Sequence, residues 1–391
     1  YVSQDDLKLS ESGLAKCTTL KKTSNNGIDI VFFANKKEIA LDYMNYFLET
    51  DPFNSYADRF NFYYIGDYYP LCEIYKGIAL LCYNRDLIKK SGSCPNDYIV
   101  VINDDESESI RSSSYVNVMS LNYKHSKNVF VHEFGHSFVN LAEEYVPAKI
   151  PRNSAGNCVL DCGEFDGMNE GCFSGCSEGE YSRSIESGVM RTLRTNNYGK
   201  FDRQVVADKI EKQSNVGITG NVIEVREDCY DSEYYLVEGV RDEEGFKIDA
   251  KIEEGCVGDN GVGGYEVGFS NDEGEFFDIN QINPDYIYTD LPDFEKQVYM
   301  SGETFENQEE YLYSDGIDPE TDEFEGEVFI IEPEPFYAKI EVSRNEDPKK
   351  IEIREEGKKV PLGSVEICND NLGDVNSDGK IDSKGVTWLN L

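Results

Sequence analysis

The sequence predicts an α+β domain followed by an all-β sandwich-like domain, and three observations predict it. Strand-like and helix-like stretches run in the order strand, helix, strands, helix between residues 27 and 141. The last of those helices carries His-Glu-x-x-His at 132–136. From about residue 220 the chain changes to short β-rich stretches separated by Gly, Asp, Asn and Glu turns. These shifts divide it into an N-terminal segment (1–26), the α+β domain (27–213), the sandwich-like domain (220–362) and a tail (363–391).

Residues 1–26 are polar and irregular, the end of a pro-segment or an upstream linker. Residues 27–34, rich in Ile, Val and Phe, predict a first strand. Asn35 followed by Glu38 has the form of a capping box, and Ile39, Tyr43 and Phe47 then recur at helical spacing. Residues 60–65, 98–103 and 115–121 predict three more strands. A sheet built this way backs the motif helix and leaves one edge strand over a cleft, where an extended peptide can pair through its main chain. Residues 145–180 have no period and read as a crossing loop. Ser187-Gly-Val-Met190 has the form of a tight methionine turn, an apolar floor that keeps metal-binding imidazoles dry and oriented. Arg191 beside it suits either substrate binding or an ion pair, and 202–213 predict a closing helix. Beyond 220 the clearest strand stretches are 221–225, 234–237, 328–331 and 337–342.

The chemistry gathers at residues 132–145, His-Glu-Phe-Gly-His-Ser-Phe-Val-Asn-Leu-Ala-Glu-Glu-Tyr, which hold two of the chain's three histidines. Residues four apart share a helix face, so His132 and His136 can converge on one ion. Two imidazoles and a carboxylate, with one position open, make a catalytic zinc site. Glu133, next to the first ligand, stands where it would take a proton from zinc-bound water. Phe130, Phe134, Phe138 and Leu141 draw an apolar stripe on another face. That stripe and the scarcity of histidine disfavour the blander reading of two surface histidines. For the third ligand, Ala142 cannot bind metal and His125 lies upstream. Asn140 tolerates a left-handed backbone and could turn the chain back. The ligand would then be Glu143, with Glu144 as the alternative. On its residues this is a zinc hydrolase site.

His-Glu-Phe-Gly-His-Ser-Phe followed by Leu-Ala-Glu-Glu-Tyr resembles the signature of the IgA-peptidase family of zinc metallopeptidases, usually HEFGHSF-x-x-LADEY. Pro52-Phe-Asn-Ser-Tyr through Arg59-Phe-Asn-Phe-Tyr63, and Gly188-Val-Met-Arg191, fit the same family. The resemblance implies a metzincin-like, zincin-like fold for the α+β domain and a protein or peptide substrate, not immunoglobulin A in particular. It also implies His132 and His136 as zinc ligands and Glu133 as the catalytic carboxylate, with Glu143 standing where the family has Asp.

A net charge of −39 excludes nucleic acid as a partner, because the phosphate backbone would repel it. It suits a soluble extracellular protein. No apolar run reaches the length of a membrane span. Eleven cysteines are many for a reduced compartment and favour secretion. Cys158, Cys162, Cys172 and Cys176 fit disulfides better than a second zinc site, since their spacing is not that of common zinc knuckles. Cys72, Cys82 and Cys94 could supply another bridge, and Cys229 with Cys256 one more. The chain starts at Tyr1 and stops in mid-motif, as a fragment or processed form would.

The tail carries a calcium-loop pattern, with Asp374, Asn376, Asp378, Lys380 and Asp382 as candidate ligands and Gly385 where an acidic residue should stand. The oxygen ligand lost at Gly385 lowers the expected Ca2+ affinity, and the loop resembles the first repeat of a dockerin or related calcium module, which implies a cohesin-like or surface partner. Two rival functions remain: a non-catalytic adhesion protein, and a zinc amidohydrolase acting on a cell-wall polymer.

Overall fold

The computed structural model describes residues 13–104, 106–146, 148–215, 229–242, 245–258, 261–289, 335–341 and 348–367. In it, strands β1 (Cys17–Lys21) and β2 (Ile28–Phe33) precede helix α1 (Lys37–Glu49) and β3 (Phe60–Ile65). A small hairpin, β4 (Glu73–Tyr75) with β5 (Ala79–Leu81), leads into helix α2 (Arg85–Ser91). Strands β6 (Tyr98–Asn103), β7 (Ser113–Tyr115) and β8 (Val118–Asn122) then deliver the chain to helix α3 (Asn128–Val139). The molecule is mixed α/β, with more strands than helices.

Strands β3, β2, β6 and β8 lie side by side and parallel, with β1 antiparallel at one edge and β7 antiparallel beyond β8. A parallel sheet must be covered on both faces, which is why β2 and β6 read as nearly unbroken apolar runs. Alternation along the strands sorts the two faces. Ile30, Phe32, Phe62, Val100 and Met119 pack against Phe47 of α1 and against Phe130, Phe134 and Phe138 of α3. Val31, Phe33, Ile65, Val101 and Val118 face the other way, onto Leu80, Leu87 and Ile88.

After α3 come the hairpin β9 (Phe173–Cys176) with β10 (Glu178–Arg183) and the helix α4 (Gly199–Asn215). Beyond them β11 (Glu233–Asp242) pairs with β12 (Gly245–Glu254). Strand β13 (Tyr265–Ser270) pairs with β14 (Phe276–Ile282). The chain then passes through the short β15 (Ile287–Thr289) to β16 (Phe336–Glu341), β17 (Lys350–Glu355) and β18 (Pro361–Glu366). These form two antiparallel sheets, β12-β11-β16 and β14-β13-β17-β18. They meet through aromatic pairs, Tyr235 with Phe269 and Phe246 with Tyr265, at 5.5 and 5.1 Å between ring centres. Strand β15 leaves both and becomes the seventh strand of the first sheet, antiparallel to β7.

Five disulfides join Cys17–Cys94, Cys72–Cys82, Cys158–Cys176, Cys162–Cys172 and Cys229–Cys256. Four local expectations are corrected. Residues 115–121 are not one strand: Val116 takes a left-handed φ of 55°, and the chain reverses there between β7 and β8. Asn35 does not cap α1; the cap position is Lys36, and the Asn35 amide is drawn instead to Asp104. The segment read as irregular contains β1, held by β3 and by Cys17–Cys94. The crossing loop contains the β9–β10 hairpin. The expected strands at 221–225 and 328–331, and the calcium loop at 374–385, lie outside the described residues.

Candidate active site

Helix α3 forms because its apolar residues repeat at three and four, and every residue from Val129 to Val139 is buried. The phenylalanine stripe enters the aromatic core, with Phe47 5.0 Å from Phe134 and Tyr98 5.2 Å from it. That fixes the helix rotation and turns His132 and His136 away from the sheet core. Asn140 ends the helix at φ 57° and ψ 41°. This left-handed cap folds residues 141–146 back along the helix.

Each imidazole is oriented from behind. His132 Nδ1 lies 2.8 Å from the Val189 carbonyl, and His136 Nδ1 lies 2.6 Å from the Leu141 carbonyl. A carbonyl can only accept, so both Nδ1 atoms carry the proton and both Nε2 atoms turn a lone pair forward. The two Nε2 atoms stand 3.2 Å apart. Glu143 closes the triangle, Oε1 at 3.1 Å from His136 Nε2 and Oε2 at 3.4 Å from His132 Nε2. Two lone pairs facing at that distance repel unless a cation sits between them, and a buried carboxylate beside them adds the same demand. The donor set therefore fits a metal ion. Among the described residues His132, His136 and Glu143 are the one such group whose ligand atoms gather within 4.8 Å.

The charges respond accordingly. Burial disfavours the ionised Glu143, but the two imidazoles overcome it and hold the carboxyl down to about 2. Burial likewise opposes charge on His132, and the Glu143 carboxylate reverses this, pushing the ring up to about 10. His136 goes the other way: burial lowers it despite Glu143.

Glu143 is presented by a loop that is itself pinned. Asn157 donates to the Ala142 carbonyl and accepts from the Ala142 amide, each at 2.9 Å. Ser177 Oγ donates to the Glu143 carbonyl at 2.7 Å, and the Cys158–Cys176 bridge ties these two supports together. Glu133 is fully buried on the same helix. Glu144 faces away, toward Asn157 and Asp202 of α4, and burial raises it to about 8 in spite of Arg183. Its amide donates to the Met190 carbonyl at 2.9 Å. Met190 packs under the helix at Gly135, where a Cβ would lie 2.9 Å from its sulfur. His125 is engaged with Ser112 and the Glu108 carbonyl, away from the trio. Arg191 donates to the Glu186 carbonyl at 2.8 Å.

Sequence reasoning missed three residues here. Asn157 and Ser177 flank cysteines of one bridge, a signal that was present but not used. Tyr288 had none. Its ring stacks on His136 at 4.0 Å and 10°, and its hydroxyl donates to Asn140 Oδ1 at 2.7 Å. Burial and then the Glu143 charge raise that hydroxyl well above the usual tyrosine range, which keeps it a neutral donor.

A helix face and the turn that ends it thus bring two imidazoles and a carboxylate into one buried group whose donor atoms fit a metal ion. A sequence model of the family described as IgA Peptidase M64 matches residues 63–157. That stretch runs from β3 through α3 to Asn157 and carries His132, Glu133, His136 and Glu143, so the family resemblance read from the motif is supported over the stretch that bears the site. No curated protein matches the chain. Among the described residues no helix is long and apolar enough to cross a membrane.

Proposed function

We propose that the chain is a secreted, zinc-dependent endopeptidase. Residues 27–213 would be its zincin-like catalytic domain and 220–362 an accessory sandwich. The observation that carries this is the meeting of His132, His136 and Glu143 within 3.4 Å of one another, with both Nδ1 atoms committed to carbonyls. A sheet whose antiparallel strand β7 lies beyond β8, with α3 packed on the sheet, supports the zincin reading. Five disulfides support an extracellular site of action.

His132 and His136 would hold zinc through Nε2, and Glu143 through its carboxylate. A zinc ion bound there supplies a Lewis acid for a water and for the scissile carbonyl. The chain's own work is then positional and protonic. The Val189 and Leu141 carbonyls keep each ring in the tautomer that ligates. Glu133 takes the proton from the attacking water and returns it to the leaving amine nitrogen. Buried surroundings keep bulk water from competing for that carboxylate.

The test is Glu133→Ala. Metal content after dialysis should stay at one ion per chain, while cleavage of casein falls by at least about a thousandfold, the scale set by losing a general base with its water. Undiminished cleavage in the variant would remove the mechanism.

A further inference from the structure

Strand β7 lies beyond β8 in the first sheet, and its outer main-chain edge is already taken. Strand β15 pairs with it antiparallel, Ile287 opposite Tyr115, Tyr288 opposite Ser114 and Thr289 opposite Ser113. The occupant belongs to neither neighbouring sheet, although it follows β14 by only a few residues. It is fastened along its length. Asn283 donates to Asn140 Oδ1 at 3.1 Å, and the Pro284 carbonyl accepts from Tyr115 at 3.4 Å. Asp285 accepts from Tyr265 at 2.9 Å and pairs with Arg241 and Arg152. The Thr289 carbonyl accepts from Tyr145 at 2.9 Å. Between these anchors Tyr288 lays its ring flat on His136.

An extended segment paired with a sheet edge, its side chain against a ligand ring, is how a peptide would lie in a cleft of this kind. We propose that Ile287–Thr289 is a resident pseudosubstrate: the cleft takes an extended peptide antiparallel to β7 with an aromatic side chain on His136, and β15 fills that place until it is displaced. This rests on the reading of the trio as a catalytic centre. A tethered segment competes at an effective concentration in the millimolar range, so an incoming peptide is disfavoured by the fraction of time the cleft is closed.

Two variants separate this from a merely structural strand. Tyr288→Ala removes the ring and leaves the strand; Tyr288→Pro removes the ring and a ladder donor. The probe is a fluorescein-labelled, unstructured casein peptide containing one tyrosine, with binding read by anisotropy and cleavage in parallel. Hydrogen exchange reports on the Ser113–Tyr115 amides. Both variants should bind the probe at least about tenfold more tightly than the parent chain. In Tyr288→Pro those amides should exchange faster alone and be protected again by the peptide. Equal affinities in parent and variants overturn the proposal, as does peptide binding that leaves exchange at 113–115 unchanged. Tighter binding without cleavage upholds β15 as the occupant of a peptide cleft and discards the peptidase reading. Equal cleavage rates in all three chains do the reverse.

Discussion

One methylene separates Glu143 from the aspartate that the HEFGHSF-x-x-LADEY pattern carries at its place. The longer arm still reaches, at 3.1 and 3.4 Å from the two Nε2 atoms, because Asn157 and Ser177 set the backbone behind it. Its neighbour Glu144 is as deeply buried but turned toward Asp202. We expect Glu143→Ala to leave less than about a tenth of the metal after dialysis, since losing even a residue that supports a ligand costs about 10–100-fold in affinity. Glu144→Gln should keep it. Metal analysis showing the opposite order would reassign the third ligand. His132 and His136 were legible because residues four apart share a helix face, whereas Glu133 rests on the motif. Tyr288 was not, since its place over His136 depends on strand pairing across more than a hundred residues.

At the scale of elements, α3 is positioned by a close approach and not by its ends. Gly135 lets Met190, Leu141 and Tyr198 crowd the helix; a Cβ there would lie 2.9, 3.2 and 3.2 Å from them. Gly135→Val should therefore cost about 1–3 kcal/mol, as overpacking in a dense core does, and lower metal retention with it. An unchanged melting temperature would show that the turn under the helix yields freely. The long apolar strands and α3 were readable because a period of two or 3.6 repeats over enough residues to stand out. The β7–β8 reversal was hidden because valine rarely takes the left-handed backbone that Val116 adopts. Strand β1 was hidden too: it is only half-buried, and a partner strand and a disulfide from distant sequence make it a strand.

Across the whole molecule one apolar core runs from the first sheet into the two antiparallel ones. Val31, Phe33, Val101 and Tyr115 share it with Tyr234, Phe336 and Ile351. Tyr83 donates to the Tyr337 carbonyl and accepts from the Tyr337 amide. Lys339 lies in this seam, 3% exposed, its ammonium 2.7 Å from Ser91 Oγ and 3.1 Å from Asn96 Oδ1. Burial lowers it from 10.5 to about 7. Between those values the unfolded chain holds a proton that the folded one has lost, so stability rises with pH across that window and the cost is complete below it. Lys339→Met should raise the urea midpoint at pH 7, with the gain fading toward pH 10; a gain independent of pH would mean that packing is responsible. The continuous core has a consequence for how such a protein could be switched on. Severing the chain after α4 would take Tyr337 from Tyr83 and remove Tyr234, Phe336 and Ile351 from the shared core, leaving a sticky remnant instead of a liberated enzyme. Awakening must be a local affair, a few residues peeled from one rim while the bulk stays whole.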